Sequence, residues 1–291
     1  MDERFADEIR NDPRPTAELI HLALTEKDED AAWEPVPVLQ YRASRDVLEA
    51  AKQLCTSQTP IERTLGANIL GQLGLPERTF PSECFECLAK MLPAESDPDV
   101  LNAIAVAFGH LHDPCCIDLL VHLKTHPNCD VRFGLVHGIS GHENPKAIET
   151  LIELSRDQDE DVRNWATFGL GTLIDADSHE IREALLARTT DADGECRGEA
   201  LVGLARRKEG RVFEPLLKEL ADDEVGTLAI EAAEYMADLR LLPALLELRN
   251  ECLDHSGKPD DDIDRAIASC RGTQVSNPKE SDTLPEFPHP A

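Results

Sequence analysis

Aromatic residues, positive charges and long apolar runs are all scarce in this 291-residue chain. Phe, Trp and Tyr make up only 4% of it, so Leu, Ala, Val and Ile must build any core. No stretch approaches the roughly 18 consecutive apolar residues of a membrane-spanning helix. We therefore expect no transmembrane segment and no membrane partner.

Acidic residues outnumber basic ones almost two to one, with 57 Asp plus Glu against 29 Lys plus Arg and a formal net charge of -28. Such a surface repels phosphate backbones, whereas nucleic-acid-binding proteins present a basic face. We therefore expect a basic protein as partner and not a nucleic acid. Residues 143–265 carry -16 of that charge, which favours the C-terminal repeats as the contact. Adaptation of the whole surface to a salt-rich cytoplasm is the alternative.

The first residues, MDERFADEIR, contain neither the apolar run of a secretion signal nor a cluster of bases. The nine cysteines form an odd set, so reduced thiols are expected rather than a disulfide framework. Both observations indicate a cytoplasmic protein.

Motifs of the common catalytic sites are missing as well. The sequence has no nucleophile elbow, no phosphate-binding glycine loop, no dinucleotide fingerprint and no His-Glu-x-x-His metalloprotease motif. We therefore expect no enzyme activity, no catalytic residues and no cofactor.

What the chain does contain is an internal repeat. Asp-Val-Arg or Glu-Cys-Arg triplets each open a run rich in Ala, Gly and Leu, and weaker copies surround them. Aligned on the Arg column, the copies lie at Arg63, Leu101, Arg132, Arg163, Arg197 and Gly226. Apolar residues recur at i, i+3, i+4 and i+7, so each unit of about 33 residues predicts two helices that bury their faces only by stacking.

The repeat predicts an all-α fold, an α-solenoid of roughly six to seven helical pairs. We place irregular capping helices at 1–43, the solenoid at 44–271 and a disordered tail at 272–291. Pro35 and Pro37 predict that one capping helix is short or broken. The tail is rich in proline and has no apolar period.

The period, the Asp-Val-Arg openings and the small-residue-rich second helices resemble the bacterial HEAT-like repeats named after phycobilisome lyases. The stretch from Asp161 to Leu220 is similar to a subgroup encoded beside Rhs-type polymorphic toxins and regarded as immunity proteins. The resemblance implies a HEAT-like solenoid that binds a protein, and for the subgroup a basic toxin domain as that partner. A lyase-type or hydroxylase-type enzyme of this fold and a generic acidic scaffold are the alternatives.

The acids and arginines of the triplets recur at fixed spacing. Arginine forks of this kind can bind carboxylate or phosphate, but in stacked repeats they more often join neighbours while the acids cap helices. We interpret them as a structural ladder formed by Asp130, Arg132, Asp161, Arg163, Glu195 and Arg197.

Histidine and cysteine are concentrated between residues 110 and 129. His122 and His126 are four apart on a predicted helix and would face one way, and Cys129 is a third candidate zinc ligand. The spacing matches no closed ligand pattern, so we expect no metal and treat these three as weak candidates. Cys84-x-x-Cys87 has no strand–helix redox context and is interpreted as core or groove lining.

The second helices of such a solenoid are expected to line its inner surface. One and five positions beyond the Arg column, large aromatic residues occur among polar ones, as in anchors of protein interfaces. The predicted partner-binding groove contains Asn102, Phe133, His137, Asn164, Trp165, Phe168 and Glu231. The alternative is that Trp165 and Phe168 only pack between repeats.

Overall fold

The computed structural model describes residues 9, 11–222, 224–251 and 261–272. The predicted tail lies outside these residues from position 273 onward, as do residues 1–8 and 10. Over the described ranges the regular structure is α-helix and short 3₁₀ turns without a β-strand, which confirms the all-α prediction. None of the helices in these ranges has the length and apolar character needed to cross a membrane.

The chain forms two compact units, Met1–Gly203 and Leu204–Ala291, and the boundaries at 43 and 271 stay predictions. The first unit begins with α1 (Thr16–Thr25), α2 (Glu29–Trp33) and α3 (Pro35–Arg42). The sequence predicted a short or broken helix at the two prolines, and here α2 ends at Trp33 before α3 starts at Pro35. Proline is tolerated at this first position because its missing N–H would have no helical partner.

Five helical pairs follow α3. They are α4 (Arg45–Leu54) with α5 (Pro60–Gln72), α6 (Pro81–Met91) with α7 (Pro98–Leu111), α8 (Cys116–Leu120) with α9 (Cys129–Ile139), α10 (Pro145–Leu154) with α11 (Glu160–Gly171), and α12 (His179–Arg188) with α13 (Gly194–Arg206). The core between them consists mainly of buried Leu, Ile, Val and Ala.

The second unit contains two further pairs. They are α14 (Phe213–Leu220) with α15 (Thr227–Met236), and α16 (Leu242–Glu251) with α17 (Asp261–Cys270). The Cys270 thiol lies 3.8 Å from the carbonyl oxygen of Ala233, so α17 packs against α15. The seven pairs in the described residues agree with the predicted six to seven.

The Arg column occupies one fixed position, the fourth residue of each second helix from α5 to α13. The alignment was four residues out of register at α15, where Gly226 precedes the helix as its N-cap. The fourth residue of α15 is the buried Ile230. Because α15 contains no arginine, the alignment of this helix depended only on its small residues.

Successive second helices approach closely where glycine faces glycine. A Cβ placed on Gly203 would lie 2.5 Å from the Cα of Gly171. Any side chain at Gly203 would therefore push α13 away from α11. The small residues of the repeat are thus required by helix contact.

Two arginines of the ladder, Arg132 and Arg163, bind carboxylates of the following repeat. Arg132 donates two hydrogen bonds of 2.7 Å to Asp157, from Nε and Nη2. Arg163 binds Asp191 in the same way at 2.8 and 3.0 Å, and Arg63, earlier in the Arg column, binds Glu95 at 2.7 and 3.0 Å. Such two-pronged bonds fix both distance and orientation.

A third N–H group of each arginine binds back to the loop before its own helix. Arg132 Nη1 donates to the carbonyl oxygen of His126 at 2.8 Å, and Arg163 Nη1 donates to that of Asp157 at 2.9 Å. Arg197 Nη1 binds the carbonyl oxygen of Asp191 at 3.0 Å. Each guanidinium therefore binds the loop that precedes its own helix. The guanidinium groups of Arg132 and Arg163 also bind a carboxylate of the next loop.

The acids of the triplets lie in the first turn of their helices, where negative charge faces unpaired N–H groups, as the capping interpretation predicted. Arg132 and Arg163 bind acids of the next loop and not those of the triplets. These first-turn acids are Asp130, Asp161 and Glu195.

The contact between the repeat containing α7 and the repeat containing α9 lacks the bond between arginine and carboxylate. Leu101 stands in the Arg column of α7, and His126 occupies the place that Asp157 and Asp191 hold in later loops. Its Nδ1 accepts a hydrogen bond from the N–H of Asn128 at 3.2 Å, as Asp157 accepts one from Asp159 at 2.9 Å. Where no arginine reaches the loop, an imidazole nitrogen takes the place of the carboxylate as acceptor of this bond.

We predict that Asp191→Asn lowers the free energy of unfolding by about 2 kcal/mol, because a buried guanidinium loses its charged partner. The Arg163 and Asp191 side chains are only 14% and 6% exposed. Urea denaturation followed by circular dichroism measures the effect. The control is Lys146→Met, which breaks a 2.5 Å bridge to Asp118 whose side chains are 63% and 73% exposed. It should cost less than about 0.5 kcal/mol, and equal losses would contradict the prediction.

The same variant has a defined pH dependence. Burial would raise the pKa of Asp191, but the hydrogen bonds from Arg163 and from the Asp193 N–H hold it below its usual range. The stabilisation is therefore present above the ordinary carboxyl pKa and is lost as pH falls through the lowered one. The difference between wild type and Asp191→Asn should shrink on acidification.

Candidate functional site

Four of the predicted groove residues form one cluster of rings, the aromatic cluster, made of Phe133, His137, Trp165 and Phe168. The ring centroid of His137 lies 4.5 Å from that of Phe133 and 4.8 Å from that of Trp165. Trp165 meets Phe133 edge-on at 6.0 Å and Phe168 edge-on at 5.6 Å, a favoured arrangement of aromatic pairs.

The positions of these residues on their helices bring the rings together. Phe133 and His137 are four apart on α9, and Trp165 and Phe168 are three apart on α11, so each pair shares one helix face. The ladder bond from Arg132 to Asp157 fastens α9 to the loop before α11. The cluster thus depends on the spacing that the ladder sets.

The cluster has a buried base and an accessible rim. His137 is 4% exposed, whereas Phe133, Trp165 and Phe168 each keep part of their surface open to solvent. The rings of α9 and α11 therefore pack between repeats and also keep an exposed face; that this face binds a partner stays a prediction.

The base of the cluster is electrically neutral at physiological pH. Burial, helped by nearby His110, lowers the pKa of His137 to about 3. The imidazole therefore contributes an uncharged ring to the cluster. A protonated His137 would place a positive charge among aromatic side chains with little access to water.

Polar groups border the cluster towards α13. The amide of Asn164 donates to the Glu195 carboxylate at 3.2 Å, and the hydroxyl of Thr172 donates to that of Glu199 at 3.4 Å. Two carboxylates of α13 therefore bind α11 at the residue before Trp165 and at its C-cap residue, one turn after Phe168. Asn164, a predicted groove residue, is held in place by this contact.

On the opposite side, towards α7, Asn102 packs against α9. A Cβ placed on Gly134 would lie 2.4 Å from the Asn102 side-chain oxygen. Farther along, Gln72 and His110 contact each other at 3.2 Å. Gln72 lies nine residues after Arg63, and His110 lies nine residues after Leu101. The groove prediction used the positions one and five residues after the Arg column, so one further helical turn would have included this pair.

Glu231 is the predicted groove residue that belongs to the second unit. It is exposed on α15. When the alignment is shifted by four residues to start from Ile230, the equivalent groove position is Tyr235, which is 41% exposed. The assignment of Glu231 followed from the register error at Gly226.

The weak metal candidates do not share one helix face. The α-helix ends at Leu120, His122 lies in a 3₁₀ turn from Val121 to Thr125, and His126 follows in extended conformation. Across the ranges that the structure describes, no three His, Cys, Asp or Glu side chains are arranged to hold a metal ion. The spacing of four suggested a shared face only because a continuous helix was assumed.

We predict that His137 destabilises the fold as pH falls from about 6.5, its ordinary pKa, towards its lowered value. Between these two pH values the unfolded chain binds a proton that the folded chain does not bind. Acidification therefore lowers the free energy of unfolding. His137→Gln should reduce the shift in the urea midpoint between pH 7 and pH 5. His21→Gln, at an exposed position on α1, is the control and should keep the wild-type shift. An undiminished shift in His137→Gln would refute the prediction.

Comparison with known proteins agrees with this architecture. Residues 85–171 match the model of HEAT repeats. Over 215 residues the chain is 30% identical to protein YibA of Escherichia coli K12, a match covering 72% of this chain and 76% of YibA.

Solved structures extend the comparison to nearly the whole chain. The crystal structure of E. coli YibA superposes with a TM-score of 0.70 at 26% identity, covering 92% of this chain and 96% of YibA. An engineered protein gives 0.53 at 18% identity, covering 88% and 78%. Importin β gives 0.51 at 15% identity, covering 93% of this chain but 43% of importin β, and both of these share the fold alone. The repeat register and the sequence identity lead to the same conclusion: the chain belongs to the HEAT-repeat family that includes YibA.

Proposed function

We propose that this chain is a non-enzymatic protein-binding module whose contact surface is the aromatic cluster of α9 and α11. HEAT repeats generally serve protein–protein interaction. The observation that carries the proposal is the partial exposure of Phe133, Trp165 and Phe168 around a neutral histidine. The chain has only eight Phe and two Trp, and its core is mainly aliphatic. Aromatic rings left at a surface are typical anchors of interfaces.

The partner that fits this surface is basic. Glu195 and Glu199 bind Asn164 and the C-cap residue Thr172 of the helix that carries Trp165 and Phe168, and residues 143–265 carry more than half of the net charge of -28. A Lys or Arg side chain of the partner can stack on an aromatic face while the carboxylates attract it. The wider negative field speeds the encounter with a basic surface.

The finer proposal is that the chain is an immunity protein that binds a cognate toxin and covers its active face. It is supported by the resemblance of the stretch from Asp161 to Leu220 to proteins encoded beside polymorphic toxins. A basic nuclease-type toxin suits the charge, because an enzyme that holds nucleic acid needs a positive surface. Occlusion requires no chemistry from this chain, in keeping with the expected absence of enzyme activity.

We predict that the chain rescues growth when it is co-expressed with a toxin-like gene beside its own, and that the two proteins co-purify. Trp165→Ala combined with Phe168→Ala should weaken binding by at least about 30-fold, which is the loss expected from removing a single interface anchor of about 2 kcal/mol. Ile61→Ala is the control, because Ile61 is a 62% exposed apolar residue on α5. It should bind as wild type. Circular dichroism confirms that the variants fold.

The outcomes separate the levels of the proposal. Absence of rescue and of co-purification would argue against the immunity role and favour the generic acidic scaffold. A folded double variant that binds as tightly as wild type would show that the surface lies elsewhere. Association that does not slow as salt rises would contradict a basic partner.

A further inference from the structure

A second site lies in the first unit, away from the aromatic cluster. A groove of about 850 Å³ runs beside the end of α4 and the outer face of α6. Two cysteines line it, Cys55 directly after α4 and Cys87 within α6. Lys52 and Lys90 line it as well, in a chain where lysine is scarce.

The two thiols line the same groove. The side chains of Cys55 and Cys87 interact with each other there. Cys55 is 6% exposed and its sulfur packs on α5, where a Cβ at Gly66 would come within 2.7 Å of it. Cys87 is partly exposed to the groove. A disulfide requires neighbouring sulfurs, and the accessible one can be reached by an oxidant in the groove.

The surrounding charges distinguish the two sulfurs. The hydrogen bond from Cys55, aided by Lys52 and Lys90, lowers the pKa of Cys87 despite burial and the opposing charge of Glu49. The bond to Cys87, together with burial, raises the pKa of Cys55. Lys52 is itself held by Glu83 at 2.8 Å, which raises the pKa of its ammonium and keeps it charged. Because Cys87 is accessible from the groove that Lys52 and Lys90 line, it is the nucleophile, and the buried Cys55 is the resolving thiol.

Other cysteines lack this environment. Burial raises the pKa of Cys84, one turn before Cys87, to about 11. Cys115 is exposed, but its hydrogen bond with Asp113 and the charge of that carboxylate raise its pKa. Accessibility alone therefore does not make a reactive thiol in this chain, and Cys115 provides an internal comparison.

We propose that Cys55 and Cys87 form a dithiol site that a hydroperoxide oxidises to a disulfide. The Cys87 thiolate attacks one peroxide oxygen, the O–O bond breaks, and with hydrogen peroxide the departing oxygen leaves as water, so Cys87 becomes a sulfenic acid. The Cys55 sulfur then attacks the Cys87 sulfur, the S–O bond breaks, and a second water leaves with the Cys55 proton. Two thiols are oxidised and one peroxide is reduced.

The product links the first helical pair after α3 to the second. The cross-link joins the end of α4 to α6, beside the existing bridges from Arg45 and Lys52 to Glu83. The site is independent of the proposed partner surface, because the aromatic cluster lies on α9 and α11. Either proposal can therefore fail without the other.

The test uses the full-length reduced chain with one equivalent of hydrogen peroxide at pH 7. Non-reducing peptide mapping should find the Cys55–Cys87 link. In Cys55→Ser, dimedone should trap a sulfenic acid at Cys87. Iodoacetamide should label Cys87 of the untreated protein about ten-fold faster than Cys115, because far more of Cys87 is thiolate. Lys90→Gln, at an exposed position, should slow that labelling about three-fold.

Matched variants make the result decisive. Cys115→Ser and Cys84→Ser should both retain the link, and Cys87→Ser should leave Cys55 reduced at the same dose. If Cys55→Ser fails to fold, Cys55→Ala takes its place. Labelling of Cys87 no faster than of Cys115, a Cys84–Cys87 link, or over-oxidation of Cys87 with Cys55 still reduced would each overturn the proposal.

Discussion

The bond between one guanidinium and the carboxylate of the next repeat is the constraint on which much of the first unit depends. Arg132 and Arg163 are each 14% exposed, and their partners Asp157 and Asp191 still less so. A fork of two parallel bonds resists both sliding and rotation of one helical pair against the next. Close helix contact at glycine and the meeting of rings from α9 and α11 both require this fixed spacing.

The features that depend on helical periodicity could be predicted from the sequence. The Arg column, the second helices and the shared faces of Phe133 with His137 and of Trp165 with Phe168 all follow from helical spacing. The partners of the arginines did not, because acids of the same triplet and of the next loop are equally plausible until the fold is known. The end of α8 was missed because the following 3₁₀ turn continues the apolar pattern.

The candidate site shows how one residue can serve packing and recognition together. Trp165 touches rings on both sides, which fixes its orientation, and still keeps an open face. A pre-oriented ring loses little conformational freedom when a partner covers it. Neutral His137 beneath the ring supports it without adding a charge that would repel a basic partner. Sequence alone could indicate the rings but not how firmly they are held.

The junction of Leu101 with His126 bears on how such an array can change its length. The pair containing α11 carries both an acid and an arginine, so a tandem copy would find a partner for each group. If the pair containing α7 were duplicated, Leu101 of the first copy would face Glu95 of the second, and that Glu95 would have no arginine. If the pair containing α9 were duplicated, Arg132 of the first copy would face His126 of the second and would have no carboxylate. Each would strand a poorly solvated charge. Duplication of the pair containing α11 therefore keeps every ladder charge paired, whereas duplication of either pair that meets at Leu101 and His126 leaves one charge without a partner.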